Sequence, residues 1–142
     1  MTTAPVSWLL LPLLAQIAWT FLLYVWLTVA RMAAVRRGEA GFATFEFGLG
    51  EPPAVARITR NLGNQFELPA IFYAVVVLLI VLKQTLLIDV LAAWAFVAGR
   101  VAHTGVQTLT SNVRLRGMVF MINFLGLAVL VAHLALVALS AP

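Results

Sequence analysis

The sequence predicts an all-α integral membrane protein, a four-helix bundle formed by a single domain over residues 1–142. Its composition points to this class, because 63% of the residues are hydrophobic, only 10% are charged and the mean hydropathy is +1.05. A soluble domain carries roughly 25% charged residues, so this chain has too little polar surface to coat a globule in water. In addition, four apolar stretches of bilayer-crossing length, about 20 residues each, follow one another along the chain.

The first two spans are predicted at about 6–31 and 54–83. We expect the first to be retained rather than removed as a signal peptide, because it is long and no basic residue precedes it. Its one amide, Gln16, is expected to bond to a neighbouring helix. The pair Pro52–Pro53 suits the first turn of the second helix, whereas Pro69 should weaken the backbone ladder inside it.

The third and fourth spans are predicted at about 86–110 and 114–139. The second half of the third span carries a polar face, because side chains three and four residues apart align on one side of a helix. These residues are Arg100, His103 and Gln107. In the fourth span, we interpret Asn123 and His133 as polar contacts between helices.

The basic residues predict the orientation of the spans. All eight arginines lie near the first and third connections, whereas the single lysine, Lys83, lies at the second. Positively charged connections stay in the cytoplasm, so we expect a multi-pass protein of the cell membrane with connections 1 and 3 cytoplasmic and both termini outside. The net charge of +4 therefore reflects topology, and nucleic acid is not an expected partner.

The chain contains no cysteine. Disulfides, thiolate metal sites and a cysteine nucleophile are therefore excluded, and no metal site is predicted. Any thiol chemistry would need a thiol supplied by a small molecule.

Polar residues also share one face in the first half of the second span, at steps of three, four and three. They are Arg57, Arg60, Asn64 and Glu67. At 1.5 Å per residue, Glu67 lies about 26 Å and Arg100 roughly 21 Å from the outer ends of their helices. The two polar faces should therefore meet, with Arg114 and Arg116, near the cytoplasmic side. Such a pocket suits an anionic, zwitterionic ligand, whose carboxylates would bind arginines and whose amine would bind Glu67.

Structural roles for the same residues stay open at this stage. Glu67 could form an ion pair between helices with Arg60 or Arg100. His103 could be a hydrogen-bonded packing residue. The remaining arginines could serve topology and lipid headgroups alone; they are Arg31, Arg36, Arg37, Arg57, Arg114 and Arg116.

These residues carry a resemblance to a known family. The run from Arg57-Ile58-Thr59-Arg60 through Asn64, Glu67 and Pro69 resembles the second-helix signature of the MAPEG family, the membrane-associated proteins in eicosanoid and glutathione metabolism. The segment Asn64–Pro69, followed by Phe72-Tyr73, is similar to a bacterial branch of that family. The resemblance continues through the third and fourth spans and covers nearly the whole chain. It is carried there by Ala93-Trp94, Arg100, His103, Asn112, Arg114 and Arg116.

The resemblance implies a homotrimer of four-helix bundles that binds glutathione as a cosubstrate between neighbouring subunits, near the cytoplasmic face. It implies that Arg116 is the catalytic residue, which stabilises the glutathione thiolate. A nearby guanidinium favours a thiolate, and the thiolate is the reactive nucleophile. The implied glutathione-binding positions are Arg31, Arg60, Asn64, Glu67, His103, Gln107 and Arg114. Apolar small molecules would enter from the membrane lipids.

The chain departs from the family pattern where other members have histidine, arginine, tyrosine or serine; these positions are Leu62, Gly63, Gln107 and Gly117. Two functions therefore compete. One is a glutathione-dependent transferase or peroxidase acting on apolar electrophiles or lipid hydroperoxides. The other is a non-catalytic lipid-binding or scaffold protein of the same family. A small multidrug exporter is a weaker third reading, because such exporters carry their glutamate in the first span, which has no acid here.

Overall fold

The computed structural model describes residues 2–140, and in that range the chain is helical with no β-strand beyond one isolated bridge. Four helical segments are long and apolar enough to cross a membrane, so the prediction of an all-α, multi-pass membrane bundle is confirmed. These segments cover Val6–Arg36, Pro53–Val81, Leu87–Leu109 and Val113–Ser140. Many large apolar side chains on them are exposed, as expected for surfaces that contact lipid.

The first helix, α1 (Val6–Arg36), runs five residues beyond the predicted end. The chain turns away from the helix at Gly38, whose φ of 72° lies in the left-handed region that glycine tolerates. The Gly38 N–H donates to the Val35 carbonyl and the Glu39 N–H to the Ala34 carbonyl, each at 3.0 Å. This pair of bonds closes a helix C-terminus by satisfying its last carbonyls.

The first connection contains a short 3-10 helix at Phe42–Phe45 and is tied to the helices at both ends. At its start, Arg37 donates to Glu39 at 2.6 Å, and this bond holds the pKa of the Glu39 carboxyl below its ordinary value. At its end, Glu51 accepts a 2.6 Å bond from Arg31 on α1. The connection is therefore anchored beside the cytoplasmic half of the bundle predicted from the sequence.

The second span is interrupted, where a continuous helix over 54–83 was expected. It consists of α2 (Pro53–Gly63), a 3-10 turn (Asn64–Phe66) and α3 (Leu68–Val81). The break falls at Glu67, which has φ −94° and ψ −103°. Pro69 explains this position, because it has no N–H to donate to the preceding turn and its ring obstructs a continuous helix.

The last two helices, α4 (Leu87–Leu109) and α5 (Val113–Ser140), form the most extensively packed pair. Asp89 caps α4 by accepting a 2.8 Å bond from the Leu86 N–H, and its other oxygen lies 2.9 Å from His133 on α5. At Gly126 the two backbones approach so closely that a methyl group there would lie 2.8 Å from the Ala92 carbonyl oxygen. His133 thus joins two helices, as predicted.

The interior has an apolar cluster in each half of the bundle, with polar side chains between them. The larger cluster packs α1, α3, α4 and α5 around Phe72 and Phe96, whose rings stack 4.3 Å apart. The smaller cluster packs α1 against α2 through residues such as Leu23 and Ile58. The buried polar residues Gln16, Asn61, Gln65, Arg100, Thr104 and Gln107 lie near the junction of these regions. This polar layer supports the candidate site.

Candidate functional site

The polar layer is a continuous hydrogen-bonded network that joins three of the helical segments. Gln16 of α1 donates to Gln65 at 3.1 Å, which confirms the expectation that Gln16 bonds to another helix. Gln65 donates to the Asn61 carbonyl at 3.2 Å, and the Asn61 side chain donates to Gln107 of α4 at 3.0 Å. Buried polar groups of this kind are stable only when they find partners, and here they mostly find one another.

Arg100 closes the network at the break in the second span. Its side chain is almost fully buried, and one guanidinium nitrogen donates to the Asn64 carbonyl at 2.8 Å. That carbonyl lies in the 3-10 turn before Glu67, where the regular helix ladder is lost. A buried carbonyl needs a partner, so Arg100 stabilises the interrupted conformation of the second span.

A cleft of about 280 Å³ opens beside this network, between α2, the end of α4 and the start of α5. Three of its lining side chains are arginines: Arg57, Arg60 and Arg116. The rest of the lining contains no aspartate, glutamate, histidine or tyrosine; it is Ala56, Val106, Gln107, Thr110, Ser111, Asn112 and Val113. The cleft is therefore strongly cationic, and its lining contains no carboxylate, imidazole or phenol group that could exchange a proton near neutral pH.

The first turn of α5 adds to the positive potential of the cleft. Asn112 precedes the helix, and its side-chain oxygen accepts the Leu115 N–H at 3.0 Å. Ser111, Asn112 and Val113 line the cleft, so the positive end of the α5 dipole faces it. Backbone N–H groups at a helix N-terminus and guanidinium groups both favour carboxylates or phosphates. The arrangement is therefore chemically suited to an anion.

The structure brings together several residues predicted for the site. Arg60, Gln107 and Arg116 all line the cleft, and Asn64 donates to Gln107 at 3.1 Å from just behind it. His103 lies one helical turn from Gln107 on α4 and is buried, with its ring edge-on to Phe120 at a centroid distance of 6.1 Å. Its Nδ1 has no hydrogen-bond partner among residues 2–140, and its observed contacts are those of a packing residue.

Three other predicted residues do not line the cleft. Arg31 is engaged by Glu51 and also lies over the Phe45 ring, 5.1 Å from its centroid. Arg114 is exposed on the first turn of α5. Glu67 is exposed at the break in the second span. Within the described range Glu67 has no ion-pair partner closer than 4.0 Å, so the pairs with Arg60 and Arg100 considered from the sequence do not form.

Reasoning from the sequence placed Arg57 on the polar face of the second span but left open whether it belongs to the site. In the structure it lines the cleft and donates to the Thr110 carbonyl at 3.3 Å. Asn61 and Thr104, bonded to each other at 2.9 Å, were not singled out at all. Neutral polar residues within apolar spans were the available signal for this pair.

Comparison with known proteins identifies one protein family that matches most of the chain. The model of the MAPEG family matches residues 9–136, which include most of the first and fourth spans, the whole of the second and third, and every residue that lines the cleft. No curated protein and no solved structure matches the chain.

Proposed function

Since the chain belongs to the MAPEG family, we propose that it is a glutathione-dependent membrane transferase or peroxidase acting on apolar electrophiles or lipid hydroperoxides. The family includes glutathione transferases and peroxidases as well as non-catalytic members. The observation that supports an enzyme here is the cationic cleft with Arg57, Arg60 and Arg116 in its lining. Its volume of about 280 Å³ and its three guanidinium groups suit a small ligand with more than one carboxylate.

The residues of the cleft fit the carboxylates of glutathione, whereas its ammonium group needs an acid that the lining lacks. Glu67 is exposed on the surface of the protomer and is free of ion pairs within the described range. In a homotrimer, Glu67 could face a cleft shared between two copies and bind the ammonium group. We propose that Arg31, His103 and Arg114 also contribute to the site in the assembled trimer, where surfaces exposed in one protomer meet another.

Bound glutathione would supply the nucleophilic thiol. Arg116 would stabilise the thiolate, because a neighbouring positive charge lowers the pKa of a thiol. Arg57 and Arg60 would bind carboxylates and orient the ligand. The reacting thiolate would then lie close to the lipid-exposed surface of the bundle. With an aryl halide, its sulfur would form a thioether bond to the ring carbon as halide leaves.

The orientation of the chain belongs to the same proposal. All arginines would lie at or toward the cytoplasmic side, which places connections 1 and 3 and the cleft where cellular thiols are found. Both termini would lie outside. In the structure, Ala4 bonds to the Thr85 carbonyl at 3.0 Å, so the N-terminal segment and the second connection share one end of the bundle.

Turnover of an aryl halide by the purified protein with glutathione tests the proposed activity. We expect thioether formation in the wild type and a loss of roughly 100-fold or more in kcat/KM for Arg116→Ala, because a group that stabilises the reacting anion is removed. Arg36→Ala is the matched control, since Arg36 is an exposed arginine that does not line the cleft. No turnover above the uncatalysed rate in any of the three proteins would reject the enzyme and favour the non-catalytic alternative, whereas equal rates above it in all three would reject the catalytic role of Arg116.

A further inference from the structure

The Gln107 side chain is held in one orientation at the edge of the cleft. Its Oε1 accepts two hydrogen bonds, from Asn61 Nδ2 at 3.0 Å and from Asn64 Nδ2 at 3.1 Å. Its Nε2 donates to no residue in the described part of the chain. It is also not among the fully buried nitrogen atoms that lack a hydrogen-bond partner. Because Gln107 lines the cleft and its Oε1 is engaged by two donors, Nε2 is the polar atom of this side chain left to serve a ligand there.

The orientation of Gln107 depends on Asn61. A carboxamide can turn by half a rotation and exchange its donor and acceptor, so a fixed orientation needs partners of defined polarity. Asn61 is fully buried, and its Oδ1 accepts from the Thr104 hydroxyl at 2.9 Å, in competition with the Arg100 carbonyl at 3.0 Å from the same hydroxyl. In this arrangement the Asn61 Nδ2 donates to Gln107. Gln65 also donates to the Asn61 carbonyl at 3.2 Å and holds this residue within the network.

We propose that Asn61 is a positioning residue that makes Gln107 a specificity-determining donor in the cleft. The Nε2 group adds a neutral hydrogen-bond donor beside the arginines, which favours carboxylate or phosphate oxygens over groups that can only donate. An amide does not titrate, so Gln107 supplies this bond at any physiological pH and transfers no proton. The assigned ligand rests on the proposed function, whereas the donor orientation can be tested without glutathione.

Side-chain amide exchange measures the orientation directly. In protein labelled with ¹⁵N-glutamine, the signal lost in Gln107→Glu identifies the Gln107 NH₂ group among four glutamines. We expect its protons to exchange with water faster than those of the buried Gln16 and Gln65. In Asn61→Asp, the new carboxylate accepts from Gln107 Nε2, so the amide turns inward and its exchange slows. A merely loosened structure would give faster exchange, which is the opposite sign.

Ligand affinity measures how the orientation of Gln107 affects binding in the cleft. We expect inorganic phosphate and glutathione each to bind about 10-fold more weakly to Asn61→Asp, the effect of losing one hydrogen bond to a charged group. Thr104→Val is the gentler variant, because it removes only the hydroxyl that orients Asn61 and keeps the volume. It should weaken both ligands by a smaller factor. Circular dichroism and elution volume show that each variant is folded.

The outcomes separate the two proposals. If the wild type binds phosphate but not glutathione, and Gln107 exchange slows in Asn61→Asp, the proposed function fails and the positioning role stands. If exchange at Gln107 is as slow as at Gln65 in the wild type, the positioning role is overturned. Unchanged affinity in folded Asn61→Asp and Thr104→Val overturns it as well, whatever the activity of the enzyme.

Discussion

At the scale of single residues, the chemistry of the site depends on arginines whose roles differ by position. Arg116, Arg60 and Arg57 line one cleft, whereas Arg100 is buried against the Asn64 carbonyl and Arg31 is engaged by Glu51. Arginine within a membrane span is expensive unless it faces protein or water. Each of these five side chains meets one of those conditions.

Arg57 provides a residue-scale prediction. Because Arg57 lines the cleft, Arg57→Ala should weaken glutathione binding by about 5- to 10-fold. This is the effect of losing one charged hydrogen bond that is partly exposed to water. Calorimetric titration measures the change, with Arg36→Ala as the control on the same side of the membrane. If Arg57→Ala binds as the wild type does, Arg57 serves topology alone, which is the alternative that the sequence left open.

The contact between Asp89 and His133 provides a second prediction. Asp89→Ala removes the acceptor of the Leu86 N–H and the partner of His133, so the protein should lose about 1–3 kcal/mol of stability. Asp89→Asn keeps an oxygen for the Leu86 N–H and should lose less. Thermal unfolding in detergent ranks the two variants, and an equal loss in both would contradict the capping role.

Residue types and spacing in the sequence predicted part of the site. The rest of the site depends on tertiary contacts that spacing does not determine. Steps of three and four predicted that Arg60 and Asn64 share a face and that Gln107 joins them. Spacing could not show that Glu67 would sit at a helix break and point out of its own cleft, because that depends on the local effect of Pro69. Spacing placed Arg57 on the same face, but it could not show the contact with the Thr110 carbonyl, because that contact depends on how the third connection folds.

At the scale of helices, two departures from a regular bundle shape the site. The break between α2 and α3 exposes Glu67 and frees the Asn64 carbonyl for Arg100. The short connection at 110–112 places the end of α4 beside the start of α5 at the cleft, and the close approach at Gly126 packs the other halves of the same two helices. Hydropathy predicted the four spans, but it carries no information on either feature, because each depends on backbone geometry.

Gly126 tests the close packing of α4 and α5. An alanine methyl at this position would lie 2.8 Å from the Ala92 carbonyl oxygen, so Gly126→Ala should destabilise the protein by about 1–3 kcal/mol. Gly117→Ala is the matched control in the same helix, because nothing lies within 4 Å of its added methyl group. That control should be neutral or stabilising through higher helix propensity. Comparable thermal midpoints for both variants would contradict the close approach.

At the scale of the whole molecule, the proposed trimer accounts for features that one protomer leaves unexplained. Glu67 is exposed, and an apolar groove of about 250 Å³ lies nearby on the surface, lined by Ile17, Thr20, Phe21, Tyr24, Phe66 and Tyr73. Both would suit a boundary between copies or a path for apolar molecules. Family membership supports this assembly, because family proteins are often oligomeric.

Native mass spectrometry from detergent tests the assembly. We expect a mass three times the 15.4 kDa of the chain. Glu67→Gln should keep that mass while weakening glutathione binding by about 10-fold, because the ammonium group loses its charged partner. A monomer that binds glutathione with full affinity would contradict the shared site.

Glutathione titration into the purified wild-type protein, followed by calorimetry, tests the central claim most directly. The cationic cleft predicts saturable binding at or below millimolar ligand, and it predicts clearly weaker binding to Arg116→Ala with Arg36→Ala unchanged. No heat of binding at millimolar glutathione in the folded wild-type protein would contradict a glutathione-dependent function.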